Sequence, residues 1–216
     1  VYAAAALLLL AGAAYAGVRV LGAEQLFGVK QSYFGEQISN FSYFINQFRV
    51  VLKYLQLFIF PYNQNFDYDW KLIESFWHIG VILPLLVHLA VFAGTYFLFK
   101  KSRLAAFGII WIYVALSVES TVIPIEDIIF EHRMYLPMAG FCIFLTATVF
   151  HFVKKEKLKT AAMIISAWAL INAGFTYYRN VIWDNPVSLW TDVIKKSPEK
   201  TRSYIFLAHA YIDRGQ

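Results

Sequence analysis

Six ionisable or phenolic side chains crowd one short stretch of this sequence: Glu126, Asp127, Glu131, His132, Arg133 and Tyr135, within residues 125–137. Hydrophobic runs flank the stretch on both sides. Charges at the mouth of membrane helices are costly, and those that occur are paired or functional. The Arg133 guanidinium is a planar fork suited to phosphate oxygens. His132 could add a second donor, and Glu131 could orient Arg133 or accept a proton. The same residues could instead form an ion-paired loop that stiffens the start of a helix, and residue types do not separate these readings.

Two further groups have spacing that could carry chemistry. Asp67 and Asp69 flank Tyr68, and an Asp-x-Asp pair can hold a divalent metal that binds a sugar phosphate; a solvated loop has the same composition. Asn46, Arg49, Lys53 and Gln56 follow Ser42 at steps of four, three, four and three, which places them on one stripe of a helix. Arg49 and Lys53 on such a stripe could bind a lipid headgroup or a polyprenyl phosphate, or could snorkel from an interfacial helix. His78 and His88 are ten residues apart and share no helix face. The chain has no Ser-His-Asp order, glycine-rich phosphate loop or Cys/His cluster, and its single Cys142 excludes an internal disulfide.

The elements that must position these residues are membrane helices. Of 216 residues, 59% are hydrophobic and 15% charged, with mean hydropathy +0.53. Soluble domains carry about 25% charged residues, so the balance points to a bilayer. The apolar residues fall in runs long enough to cross a hydrocarbon core of about 30 Å. Val1–Val20, Ser75–Phe99, Leu104–Val118, Met138–Val153 and Thr160–Tyr178 read as about five spans. Ile38–Phe60 reads as an amphipathic helix that either spans or lies in the interface. The fold class is all-α, a polytopic transmembrane bundle over residues 1–179 with a non-membrane segment over 180–216.

The net charge of +5 does not indicate nucleic-acid binding. Its clusters, Lys100 to Arg103 and Lys154 to Lys159, lie between spans and read as cytoplasmic anchors. That assignment puts residues 61–74, 119–137 and everything after 179 on the outer side. Neither end has the form of a natural terminus, so the sequence is expected to be an internal piece of a longer protein.

Near the end, Tyr204 is followed at +3 by Leu207, at +4 by Ala208 and at +7 by Tyr211, with Pro198 six residues ahead. This resembles the first helix of a tetratricopeptide repeat, and Trp190 and Val193 fit the second helix of a preceding one. A helical hairpin of no particular family is the plainer reading. One repeat cannot bury its own apolar face, so further repeats are expected, with a concave side that binds proteins or peptides.

Several motifs in order resemble one family. Phe48–Trp70, FRVVLKYLQLFIFPYNQNFDYDW, resembles a segment of bacterial membrane proteins with tetratricopeptide tails. Glu131-His132-Arg133-Met134-Tyr135-Leu136-Pro137, followed by Gly140-Phe141-Cys142, resembles their E-H-R-x-Y-L-P…G-F signature. It is similar to a signature of the transmembrane and tetratricopeptide repeat O-mannosyltransferases. Tyr178-Arg179-Asn180, Trp183 and then Leu189-Trp190 resemble the link from last span to first repeat.

The resemblance implies the C-terminal half of a GT-C-type glycosyltransferase. Such an enzyme passes a sugar from a polyprenyl-phosphate donor to a protein Ser/Thr hydroxyl on the outer face of a bacterial inner membrane, and the repeats recruit the acceptor. It implies donor-phosphate contacts at Arg133 and His132, with Glu131 positioning them, Tyr135 lining the site, and Arg49 and Lys53 as further candidates. A divalent metal at Asp67 and Asp69 is the one cofactor considered. The family's catalytic acidic residue lies on a first outer loop that is expected ahead of this sequence, so no catalytic base is named. The other readings are a non-catalytic membrane-anchored repeat scaffold and an envelope-polysaccharide polymerase or ligase.

Overall fold

The computed structural model describes residues 38–120 and 127–215, and the backbone of 32–33 and 36–37. The expected span Val1–Val20, most of the connector that follows it, and Glu126 lie outside the described residues. A two-residue antiparallel pair, β1 (Ser32–Tyr33) and β2 (Glu36–Gln37), sets Ser32 opposite Gln37. The remaining regular structure among the described residues is helical.

Helix α1 (Asn40–Ile59) starts where the Ser39 hydroxyl accepts from the backbone N–H of Ser42 at 3.1 Å, an N-cap that satisfies an orphan donor. Its apolar face is buried at Tyr43, Val50, Tyr54, Leu57 and Phe58. The first part of the polar stripe, Ser42 and Asn46, is buried as well. Asn46 holds both backbone groups of Ile73, at 2.8 and 3.2 Å, and Arg49 donates to the Lys71 carbonyl at 2.8 Å. Asn46 and Arg49 therefore serve the following loop, because they satisfy backbone groups that have no secondary-structure partner.

Helix α2 (Ile79–Lys101) is capped by the His78 ring, which accepts from the Gly80 N–H. Ser102 closes α2 and caps the next helix, α3 (Arg103–Ser117). Fifteen residues at 1.5 Å each give α3 a length of about 22 Å, short of a full crossing. A 3-10 turn at Glu131–Met134 leads into α4 (Tyr135–Phe152), and a second at Lys155–Lys157 leads into α5 (Leu158–Trp183). Three segments are long and apolar enough to cross a membrane: Ile79–Lys101, Glu131–Phe152 and Lys155–Trp183. Helices α2 and α5 end later than the apolar runs alone suggest, since Lys100, Lys101 and Arg179 continue the backbone hydrogen bonding, while α2 begins four residues later than its run.

Helices α3 and α4 touch at two glycines. A Cβ on Gly108 would fall 2.5 Å from the Phe144 backbone nitrogen, and one on Gly140 would fall 2.6 Å from the Gly108 carbonyl oxygen. Hydrophobic collapse cannot drive helices together inside lipid, and small residues permit the close backbone approach that does. His88 ties α2 to its neighbours: the Phe48 carbonyl accepts from Nε2 at 2.9 Å, and Nδ1 meets the Tyr113 hydroxyl at 2.8 Å. Beyond α5, helices α6 (Pro186–Lys196) and α7 (Thr201–Ile212) form a hairpin. Trp190 stacks on Phe206 with centroids 4.7 Å apart, and Val193, Ser203 and Ala210 are buried.

Candidate functional site

The chain order puts the basic ends of α2, α3, α4 and α5 together. The opposite end gathers the loop after α1, the segment before α4 and the α6–α7 hairpin. There a polar cap forms, and Asp67 lies at its centre with 1% exposure. Its carboxylate accepts from Lys200 Nζ at 2.8 Å and from Arg202 Nε at 2.8 Å, with Arg202 Nη2 at 2.7 Å. Arg202 also grips Asp127 with two nitrogens, at 2.7 and 3.2 Å. One guanidinium thus joins three parts of the chain far apart in sequence. Burial alone pushes the Asp67 carboxyl up, but the Arg202 and Lys200 hydrogen bonds outweigh it and hold the group below its ordinary value. Burial also disfavours the Arg202 charge, and the two aspartates more than offset it, so its pKa is raised.

Neighbouring contacts extend the cap. Asn65 donates to Ser197 Oγ at 2.8 Å, and the same Oγ accepts from the Asp69 N–H at 2.9 Å. Lys196 donates to the Gln64 carbonyl at 2.7 Å and to Asp192 at 2.8 Å. Phe66 inserts edge-on between Trp183 and Trp190, at 5.3 and 5.4 Å.

The residues singled out from the sequence do not converge on one point. Glu131 Oε1 accepts from the Asn65 N–H and the Tyr68 hydroxyl, both at 2.7 Å. Burial and the adjacent Glu131 carboxylate raise the Tyr68 phenol well above its usual value. Arg133 does not pair with Glu131. Two residues apart on a 3-10 turn, they point about 120° apart. Arg133 pairs with Glu119, donates to the Ile128 carbonyl at 3.3 Å and lies over the Phe130 ring, with its side chain 7% exposed.

His132 is exposed and packs on Phe130, with centroids 4.9 Å apart. Tyr135 opens outward at 89% exposure. On α1, Arg49 is spent on Asn46, the Lys71 carbonyl and the Trp70 ring, while Lys53 donates to Gln56 at 3.3 Å. For a divalent metal the donor set fits poorly, because the Asp67 oxygens of the Asp67–Asp69 pair are taken by two cations. Among the described residues no group of three metal-ligating side chains occurs.

Sequence reasoning gave no site role to Glu119, Arg179, Asp192, Lys196, Lys200 and Arg202. Asp192 and Lys196, four apart on a helix, were one available signal. Arg179, charged and close to Trp183 at the end of an apolar run, was another.

Apolar helices long enough to cross a bilayer, closed at one end by a polar cap, define an all-α membrane protein. The chain is similar to a protein O-mannosyl-transferase of Caenorhabditis elegans, with 26% identity over 180 residues. The match takes in 82% of this chain and 26% of the relative, so the chain spans about a quarter of that protein's length. No family model matches the chain, and no solved structure matches it.

Proposed function

We propose that this chain is the C-terminal membrane part of a glycosyltransferase-like protein. It would pass a sugar from a polyprenyl-phosphate donor to a protein Ser/Thr hydroxyl outside a bacterial inner membrane. The observation that carries the reading is the similarity to an O-mannosyl-transferase over most of the chain, on a framework of apolar helices with a polar cap at one end. In the transfer, the acceptor oxygen bonds to the anomeric carbon as the bond from that carbon to the donor phosphate breaks. The hydroxyl proton goes to a carboxylate base, and the phosphate leaves with the bonding pair.

Within this chain His132 and Tyr135 are exposed to a ligand at the mouth of α4. Glu131 and Arg133 brace the turn that presents them, and Arg133 also adds positive potential toward the leaving phosphate. The basic ends of the helices face the cytoplasm on this reading. Helices α6 and α7 begin a tetratricopeptide domain that recruits the acceptor.

A second reading, a membrane-anchored repeat scaffold, is favoured by one fact: Asp67, Glu131 and Arg133 are all spent on internal bonds. Binding of polyprenyl-phosphate sugars to the purified full-length protein separates the two. Saturable binding that Arg133→Ala weakens about tenfold, or 1.4 kcal/mol, supports the transferase. A well-folded wild type that binds none of them leaves the scaffold.

A further inference from the structure

Helix α5 is apolar and faces outward along almost its whole length. The one buried residue among its described positions is Arg179, at 8% exposure in the last turns. The guanidinium lies over the Trp183 ring at 5.7 Å, and its Nη1 donates to Asp192 at 2.6 Å. Nε and Nη2 are buried and have no acceptor among the described residues. These two nitrogens are the adjacent pair on one edge of the guanidinium. They donate in parallel and match two oxygens of one phosphate. Keeping such an edge dry and unpaired costs free energy, so the arrangement calls for a ligand.

Depth and charge identify that ligand. Tyr177, Tyr178 and Trp183 are exposed around Arg179, the aromatic belt that marks headgroup level, where lipid phosphates lie. Asp192 is shared between Arg179 and Lys196, so two cations meet one carboxylate. Glu131 also interacts with Arg179 through its charge, and its Oε1 is already taken by Asn65 and Tyr68.

We propose that the Nε–Nη2 edge of Arg179 is a phosphate-binding subsite at the outer membrane surface, for the phosphate of a polyprenyl carrier. The inference rests on the donor reading above. The opposite nitrogen, Nη1, ties the same guanidinium to α6 through Asp192.

The test uses the full-length protein in lipid nanodiscs, with polyprenyl phosphate as probe and inorganic phosphate as competitor. Arg179→Lys keeps the charge and the Asp192 pair but loses the fork. Amide exchange of α6 reports whether the hairpin stays seated. The expected result is binding weakened at least tenfold, with α6 exchange within twofold of wild type. Competition by millimolar inorganic phosphate places recognition in the phosphate itself, and its failure to compete adds the lipid tail to the recognised ligand; both keep the subsite.

Wild-type-like binding by Arg179→Lys overturns the subsite and leaves the donor reading standing. Binding lost together with α6 protection also overturns it, because the residue would then be an anchor for the hairpin. A wild type that binds no polyprenyl phosphate overturns the donor reading itself.

Discussion

Asp67 shows how a buried acid can be kept charged. Three nitrogens from Lys200 and Arg202 lie within 2.8 Å of its oxygens, and the carboxyl is held below its unfolded value of 3.8. A depressed folded pKa gives stability that is fully present above the unfolded value. That stability is lost as pH falls through the lower folded value. Docking of the α6–α7 hairpin should therefore be constant from pH 8 to pH 5 and weaken below about pH 4. The distance between spin labels at positions 62 and 195 would report it. In Asp67→Asn the acid step should shrink by more than half, and the hairpin should already sit looser at neutral pH. An unchanged acid step in that variant would assign the pH dependence to another group. The sequence marked Asp67 as chemically unusual, but an Asp-x-Asp spacing says nothing about Lys200 and Arg202, more than 130 residues away. A metal and a pair of cations suit the same carboxylate, and the sequence cannot choose between them.

At the scale of elements, the glycines separate packing from composition. Gly108 and Gly140 sit where α3 and α4 backbones meet, with facing atoms 2.5 to 2.6 Å from an added Cβ. Gly94 and Gly174 have nothing within 4 Å. Overpacking a fitted contact costs about 1–3 kcal/mol, whereas Gly→Ala at an open helix position gains up to about 1 kcal/mol. Gly108→Ala should lower the thermal midpoint in detergent, and Gly94→Ala and Gly174→Ala should hold or raise it. Equal effects of all three substitutions would mean that the α3–α4 contact is not a close one. Three of the expected spans were legible, because length and hydropathy are enough to mark Ile79–Lys101, Glu131–Phe152 and Lys155–Trp183, while Arg103–Ser117 is apolar but shorter. The stripe on α1 was legible as a stripe, but its partner was not. Asn46 and Arg49 look outward on a helical wheel for lipid or water, and only the folded loop at residues 71–73 shows that they satisfy backbone groups.

The whole molecule depends on how the hairpin is joined to the membrane helices. Two kinds of ion pair make the junction, and they should contribute very differently. Lys71 and Glu199 meet at 3.1 Å with both side chains largely in solvent, where screening and side-chain entropy leave little net gain. Arg202 bridges Asp67 and Asp127 with its side chain 17% exposed. Removing it leaves two carboxylates facing each other with Lys200 alone to neutralise them. Breaking a buried pair from one side costs about 3–5 kcal/mol, and the low end applies because part of the cluster stays wet. Arg202→Ala should therefore lower the local opening free energy of α7 by about 3 kcal/mol, which speeds its amide exchange by roughly a hundredfold. Glu199→Gln should leave that exchange unchanged. A double-mutant cycle between Arg202 and Asp127 should show coupling of about 1–3 kcal/mol. Exchange in the spanning helix α4 should not respond, because the clasp holds the cap and not the bundle. Release of α4 along with α7 would mean that the cap and the membrane helices unfold as one unit, and no separate docking step would then exist.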